Sequence, residues 1–275
     1  MSASPKLPEF RTLDYVVEDG VAIATFNRPE KMNTFTSAMM YDLLHLFDVT
    51  DADDDVRAVI VTGSGRAFCA GADLDSGGDT FDFDRHAGRK NQIAGVHRDG
   101  GGQVTLRIYD SLKPVISAVN GAAVGVGATM QLAMDIRLAP TAARFGFVFA
   151  RRGITPEACS SWFLPRLVGM AKALDLLLTG RRMEAHEAER SGLVSRVVPT
   201  ERLLEEGRQV AADLASLSGE ILRLIKQTAR AGADLPLEQG LRQERAAFHH
   251  SLSLPDRVEG MTAFLEKRAP RFNSP

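Results

Sequence analysis

Three short stretches carry residues that could do chemistry together. Phe68-Cys69-Ala70-Gly71-Ala72-Asp73 and Asn120-Gly121-Ala122-Ala123-Val124-Gly125-Val126-Gly127 are glycine-bearing turns, and each follows an apolar, β-branched run, residues 58–62 and 114–119. A strand that ends at such a turn exposes main-chain N–H groups with no acceptor of their own, and small side chains let a ligand come close. Two such turns facing one another would offer two N–H donors to a single oxygen, which is what an enolate or tetrahedral oxyanion requires. The third stretch, residues 153–162, holds Glu157 in Thr155-Pro156-Glu157-Ala158-Cys159. Thr155 suits a helix N-cap, Pro156 the first helical position, and Glu157 then complements the helix dipole. Turned instead into an apolar pocket, the same carboxyl would lose hydration and rise toward the pKa of a proton shuttle. The two readings are compatible.

Other templates fail on spacing. Residues 121–127 form neither a dinucleotide fingerprint nor a P-loop, because no Gly-Lys-Ser/Thr follows. Thr62-Gly63-Ser64-Gly65 lacks the spacing of a nucleophile elbow. His45, His86, His97, His186, His249 and His250 show no metal-ligand spacing, and His249-His250 suits a helix surface. No metal is expected. Arg151-Arg152 reads as an exposed charged pair. Cys69 and Cys159 are too few for a disulfide framework and read as reduced thiols in the interior.

Stepping outward from these stretches, 275 residues suffice for one large domain or a core plus a small C-terminal piece. A hydrophobic content of 44%, a charged content of 25% and a formal net charge of -2 suit a globular protein. They give no support for nucleic-acid or anionic-membrane partners. No apolar run reaches spanning length, and the first residues lack the pattern of a secretory signal, so a cytoplasmic location is expected.

The elements that must hold the turns follow from patterning. Tyr15-Val16-Val17 and residues 21–26 flank Asp19-Gly20 as a hairpin. Thr36 or Ser37 caps a helix with Met40, Leu43, Leu44 and Phe47 on one stripe, ending in the acidic residues 51–55, expected as a solvated connection. Residues 75–102, with Gly77-Gly78 and Gly100-Gly101-Gly102, are expected to form an irregular stretch, a lid or a partly mobile, partly helical excursion. Helix is expected over 104–112 and 128–134 and strand over 135–139, followed by the segment Arg144-Phe145-Gly146-Phe147. Alternating strands and helices argue for stacked β-α units. Beyond 155 the pattern is helical, with segments 171–178, 185–191, 201–217, 219–231, 237–252 and 257–266. The domain division is therefore 1–198 for the core and 199–275 for a helical C-terminal region.

With these residues in view, the chain resembles the crotonase (enoyl-CoA hydratase/isomerase) superfamily. The likeness rests on residues 67–74, Lys113-Pro114-Val115-Ile116-Ser117-Ala118-Val119-Asn120-Gly121, the Phe145-Gly146 segment, Leu177-Leu178-Thr179-Gly180 and residues 188–194, and it covers nearly the whole chain. It implies an α/β fold, a ClpP-like spiral of ββα units with C-terminal helices for trimerisation, as a homotrimer or a dimer of trimers. The ligand it implies is an acyl-CoA thioester, with coenzyme A part of the substrate and no separate cofactor. The oxyanion donors would be the N–H groups of Ala72 and Val126. Lys31, Met32, Ala70, Gly71, Asp73 and Leu74 would hold the coenzyme A portion. Gly125, Gly127 and Phe149 would line the substrate site, and Lys267 would reach a phosphate, across a subunit boundary.

Departures from the family pattern bear on the reaction. Hydratases of the family carry two glutamates at the positions of Thr129 and Phe149, and adding water needs two proton-handling groups. The segment around Glu157 resembles instead the peroxisomal-type Δ3,Δ2-enoyl-CoA isomerases, which implies Glu157 as a single catalytic base shifting a 3-enoyl double bond to the 2 position through a dienolate. The alternatives are an enoyl-CoA hydratase of fatty-acid or aromatic-acid degradation and a non-catalytic protein of the same fold that binds acyl-CoA or a partner.

Overall fold

The computed structural model describes residues 8–75, 77, 92–93 and 96–272. Its hairpin is β1 (Leu13–Glu18) and β2 (Val21–Phe26), antiparallel with Glu18 opposite Val21. Only Asp19 and Gly20 turn the chain, both at positive φ (50° and 77°), the conformation a two-residue turn between twisted strands needs. Next comes α1 (Ser37–Ala52), whose N-cap is Thr36, its side chain accepting the Met39 N–H. After it come β3 (Ala58–Gly63), β4 (Ala67–Cys69), the short pair β5 (Gln92–Ile93) and β6 (Val96–His97), α2 (Gly100–Asp110), β7 (Val115–Ala118) and β8 (Ala122–Val124). The chain continues through α3 (Val126–Thr129), prolonged by a 3-10 turn over Met130–Ala133, then β9 (Ile136–Pro140), β10 (Arg144–Gly146), α4 (Ser160–Val168), α5 (Met170–Thr179), β11 (Arg182–Glu184), α6 (Ala185–Arg190) and β12 (Arg196–Val198). Four helices close it: α7 (Leu203–Ala215), α8 (Gly219–Gly232), α9 (Leu237–Ser253) and α10 (Pro255–Glu266).

The strands form a six-stranded sheet, β1-β2-β3-β7-β9-β12, parallel from β2 onward, and a four-stranded sheet, β11-β10-β8-β4. Three times in succession the chain lays one strand in the larger sheet and the next in the smaller: β3 then β4, β7 then β8, β9 then β10. This is the spiral of a mixed α/β fold. Parallel strands covered on both faces read as continuous apolar runs. In β3, Val59 and Val61 enter the core between the sheets, while Ala58 and Ile60 face α7 on the other side.

That alternation corrects one expectation. The glycine turns follow the short strands β4 and β8, not the long apolar runs β3 and β7. Between each long strand and its short successor the chain crosses from sheet to sheet at Gly63 and Gly121. There a Cβ would lie 2.5 Å from the Ala67 carbonyl oxygen and 2.2 Å from that of Arg66. Asn120 ties the crossings, accepting the Gly63 N–H at 3.1 Å and donating to the Gly65 carbonyl at 3.0 Å.

Two further expectations change. The acidic residues at the end of α1 are not all solvated: Asp51 accepts from Arg107 at 2.7 Å and from the Leu112 N–H at 2.9 Å, fastening α1 to the end of α2. The helix expected from 104 begins earlier: Gly100-Gly101-Gly102 is the first turn of α2, capped by Asp99, whose carboxylate accepts the Gly102 N–H at 2.6 Å. Glycine's low helix propensity hid this start. Most of the lid-like excursion expected over 75–102 lies outside the described residues.

In the C-terminal region, α7 packs on the six-stranded sheet, with Leu203 and Ala211 against Ile60, Ile116 and Leu138. Lys226 and Arg230 of α8 reach Asp135 at 2.8 and 2.7 Å. Further out, α9 packs on α8 and α10 on α9. Among the described residues, no helix is long and apolar enough to cross a membrane.

Candidate active site

The two turns are in contact because β4 and β8 are parallel neighbours, Cys69 beside Ala123. A Cβ on Gly127 would sit 2.1 Å from the Cys69 carbonyl oxygen, and one on Gly71 would sit 3.2 Å from that of Val124. Gly125 takes φ 52° and ψ -125°, a conformation that side-chain-bearing residues avoid. Phe35 braces the first turn: its N–H donates to the Gly71 carbonyl at 2.8 Å and its carbonyl accepts the Asp73 N–H at 2.9 Å. That pairing leaves the Ala72 N–H on the opposite side, and Val126 is the first residue of α3. Among the described residues neither N–H has a protein acceptor. These are the two N–H groups that the oxyanion reading names.

Glu157 sits where the helix-start reading does not put it. The helix begins at Ser160, with Cys159 as its N-cap, so Thr155 and Pro156 lie outside it. Ala158 and Cys159 both adopt left-handed backbone, φ 53° and 57°, rare and costly for residues with a side chain. This double turn is fastened by the Glu157 carbonyl, which accepts the Ser160 N–H at 3.0 Å and its hydroxyl at 2.7 Å. A regular helix from Thr155 would have laid the carboxyl along a helix flank; the strained turn carries it inward.

There it meets Thr129, whose hydroxyl lies 3.2 Å from Glu157 Oε1 and 3.3 Å from the Val126 carbonyl. Gly101 of α2 lies against the other oxygen: a Cβ there would be 2.4 Å from Oε2, 3.0 Å from Val126 Cγ2 and 3.1 Å from Ala158 Cβ. The Asp99 carboxyl is close enough to act on that of Glu157. Burial first, and then the Asp99 carboxyl, push the Glu157 pKa up to about 8, the Thr129 hydroxyl opposing them. Cys69, fully buried, is pushed up to about 12 chiefly by burial, and the half-buried Cys159 is raised for the same reason. Both thiols stay neutral.

The residues expected to hold coenzyme A divide. Met32 accepts the Ala70 N–H through its carbonyl at 3.1 Å, so its segment lies beside the first turn. Asp73 is anchored by Arg28 at 3.1 Å and Thr34 at 3.0 Å. Lys31 pairs with Asp75 at 3.0 Å on the surface, and Leu74 is exposed. Phe149 is buried in the core together with Val126, so it helps wall the site rather than opening onto solvent. Lys267 is the left-handed C-cap of α10, on an element that packs on α9, away from this cluster within one chain. Asp99 was not foreseen. An aspartate just before Gly100 is a helix-start signal, but three successive glycines masked the helix.

Comparison with known proteins accords with this geometry. The family model described as enoyl-CoA hydratase/isomerase matches residues 17–275. A probable enoyl-CoA hydratase of Mycobacterium bovis is 39% identical over 92% of this chain and 94% of its own length. One from Rhodobacter capsulatus is 37% identical over 96% of this chain and 98% of its own. Among solved structures, an enoyl-CoA hydratase from Bacillus anthracis superposes with a TM-score of 0.89 at 32% identity, covering 96% of this chain and all of that one. A Geobacillus kaustophilus protein described as an enoyl-CoA hydratase subunit gives 0.87 at 35%, covering 98% and 100%. The fold is thus that of the crotonases, and the chain belongs to the enoyl-CoA hydratase/isomerase family.

Proposed function

We propose that this acyl-CoA enzyme moves the double bond of an enoyl-CoA from the 3 to the 2 position, with Glu157 as the proton carrier and the N–H groups of Ala72 and Val126 as the oxyanion donors. The observation that carries this is the half-buried Glu157 carboxyl set between Thr129, Gly101 and the Val126 turn. Glu157 takes a proton from C2, the C2–H electron pair moves toward the thioester carbonyl, and the resulting dienolate oxygen is held by the two N–H groups. The proton is returned at C4. Each donor contributes about 2.7–4 kcal/mol to the transition state. Met32, Ala70, Gly71 and Asp73 form the wall for the coenzyme A portion, with Lys31 and Leu74 at its exposed edge and Gly125 and Gly127 under the acyl thioester.

Hydration is the second reading. It is favoured by the names of the relatives and by Asp99, a second carboxyl near enough to act on Glu157. The two readings predict opposite pH profiles. An isomerase base must be ionised in the free enzyme, so kcat/KM for a 3-enoyl-CoA rises about tenfold per pH unit up to about 8 and levels above it. A hydratase acid must hold its proton to deliver it to C2, so kcat/KM for a 2-enoyl-CoA falls above about 8. Assaying both substrates across pH 6–10 separates them, and binding without turnover of either selects a non-catalytic role.

The assembly proposed is a homotrimer or a dimer of trimers. Leu237, Leu241 and Phe248 of α9 and Phe264 and Leu265 of α10 are all exposed in the single chain, more apolar surface than two outer helices leave open to water. Light scattering is expected to give three or six times 29.8 kDa, and a monomer mass would refute it.

A further inference from the structure

Two buried hydroxyls hold Glu157 from opposite ends. Thr129, on α3, and Ser160, the first residue of α4, are both fully enclosed. The Thr129 hydroxyl stands 3.2 Å from Glu157 Oε1 and 3.3 Å from the Val126 carbonyl. It has one proton to give. The Val126 carbonyl already accepts the Met130 N–H, so it does not depend on that proton. An ionised Glu157 carboxylate, which can only accept, gains more from it. At the main-chain end, the Glu157 carbonyl accepts the Ser160 N–H at 3.0 Å and the Ser160 hydroxyl at 2.7 Å. Those two bonds span Ala158 and Cys159, whose left-handed backbone persists only where its surroundings hold it.

We propose that Thr129 and Ser160 are positioning residues: Ser160 holds the turn that carries Glu157 inward, and Thr129 anchors Oε1 so that the carboxyl stays beside the Val126 turn. This inference rests on Glu157 being the proton carrier of the proposed reaction. Such a carrier must keep its place both as a carboxylate and as an acid, since it takes the proton at one carbon and returns it at another. A hydroxyl suits both states. It donates to the carboxylate, and it can accept from the acid while turning its own proton to the Val126 carbonyl. A lysine or an amide N–H in its place could only donate.

Thr129→Val keeps the shape of the side chain without the hydroxyl, and Thr129→Ser puts the hydroxyl back. Displacing a reacting group by about 1 Å costs on the order of 100-fold. The kcat of Thr129→Val is therefore expected to fall about 10- to 100-fold with KM within about twofold, and Thr129→Ser to recover to within about threefold of the parent. Ser160→Ala keeps the N–H bond and is expected to lose less, about three- to tenfold in kcat. Thr129→Ala gives the same comparison if valine does not pack. In a Glu157→Gln background each change is expected to cost less than about twofold more, because nothing is left for it to position. A merely structural role would lower both backgrounds by the same factor. That result, or a parental kcat in Thr129→Val, would overturn the proposal.

A readout independent of turnover keeps this test separate from the reaction itself. The infrared band of the protonated Glu157 carboxyl is identified at pH 6 by its loss in Glu157→Gln. It is expected to move to higher wavenumber in Thr129→Val, as a carboxyl that loses a hydrogen bond does, and to return in Thr129→Ser. That movement supports the anchoring even if neither isomerisation nor hydration is the reaction. A band that stays in place refutes it even if isomerisation through Glu157 is established.

Discussion

Glu157→Gln is expected to lower turnover by about 10²–10⁴-fold, the range lost with a positioned acid–base group, while affinity for a CoA thioester stays within a few-fold. Glutamine keeps the volume of the side chain and can accept from Thr129, so the pocket stays intact and only proton carriage is removed. Retained turnover would show that another group carries the proton. The same variant is expected to be more stable than the parent. Between pH 4.5, the ordinary glutamate value, and about 8, the unfolded chain releases a proton that the folded chain keeps. Stability therefore falls as pH rises across that window, by on the order of 3 kcal/mol at neutral pH. Glutamine carries no such cost. The melting temperatures of the two proteins should coincide near pH 4.5 and separate progressively toward pH 8, with the variant higher. A less stable variant at pH 8 would mean that the carboxyl is structural.

Gly127→Ala is expected to lower both stability and activity. The added methyl would stand 2.1 Å from the Cys69 carbonyl oxygen and 2.8 Å from its carbon, atoms of a paired strand that no side-chain rotation can move aside. Overpacking of this kind costs about 1–3 kcal/mol. It also pries the α3 turn from the β4 turn, which on the proposed reading separates the two oxyanion donors, the N–H groups of Val126 and Ala72. Losing one such donor costs about 10²–10³ in kcat. Gly232→Ala, at the end of α8 with nothing within 4 Å of its added carbon, is the control and should be neutral or slightly stabilising. Equal behaviour of the two variants, by thermal melts and by kcat, would show that contact between the turns is not needed.

What the residues determine locally was legible beforehand. Asp19-Gly20 can hardly turn otherwise than as a hairpin, and Thr36 is a ready cap. The apolar run of β3 follows from burial on both faces, and Gly180 ends α5 in left-handed backbone where a helix was expected to end. The glycines at 71, 125 and 127 announced close approach, although not that the approach is of one turn to the other across β4 and β8. The placement of Glu157 is a different matter. Thr155-Pro156-Glu157 has every local feature of a helix start, yet the helix waits until Ser160, because packing around Thr129 and α2 compensates for two strained residues that no local preference would choose. Asp99 is 58 positions away in the chain and comes near enough to act on Glu157 only when α2 folds against that turn. The sequence alone could propose two donors and one acid, since backbone turns and residue types are local properties. Only the tertiary structure could bring another acid near that one and set its ionisation, since burial and proximity between distant carboxyls are properties of the packed chain.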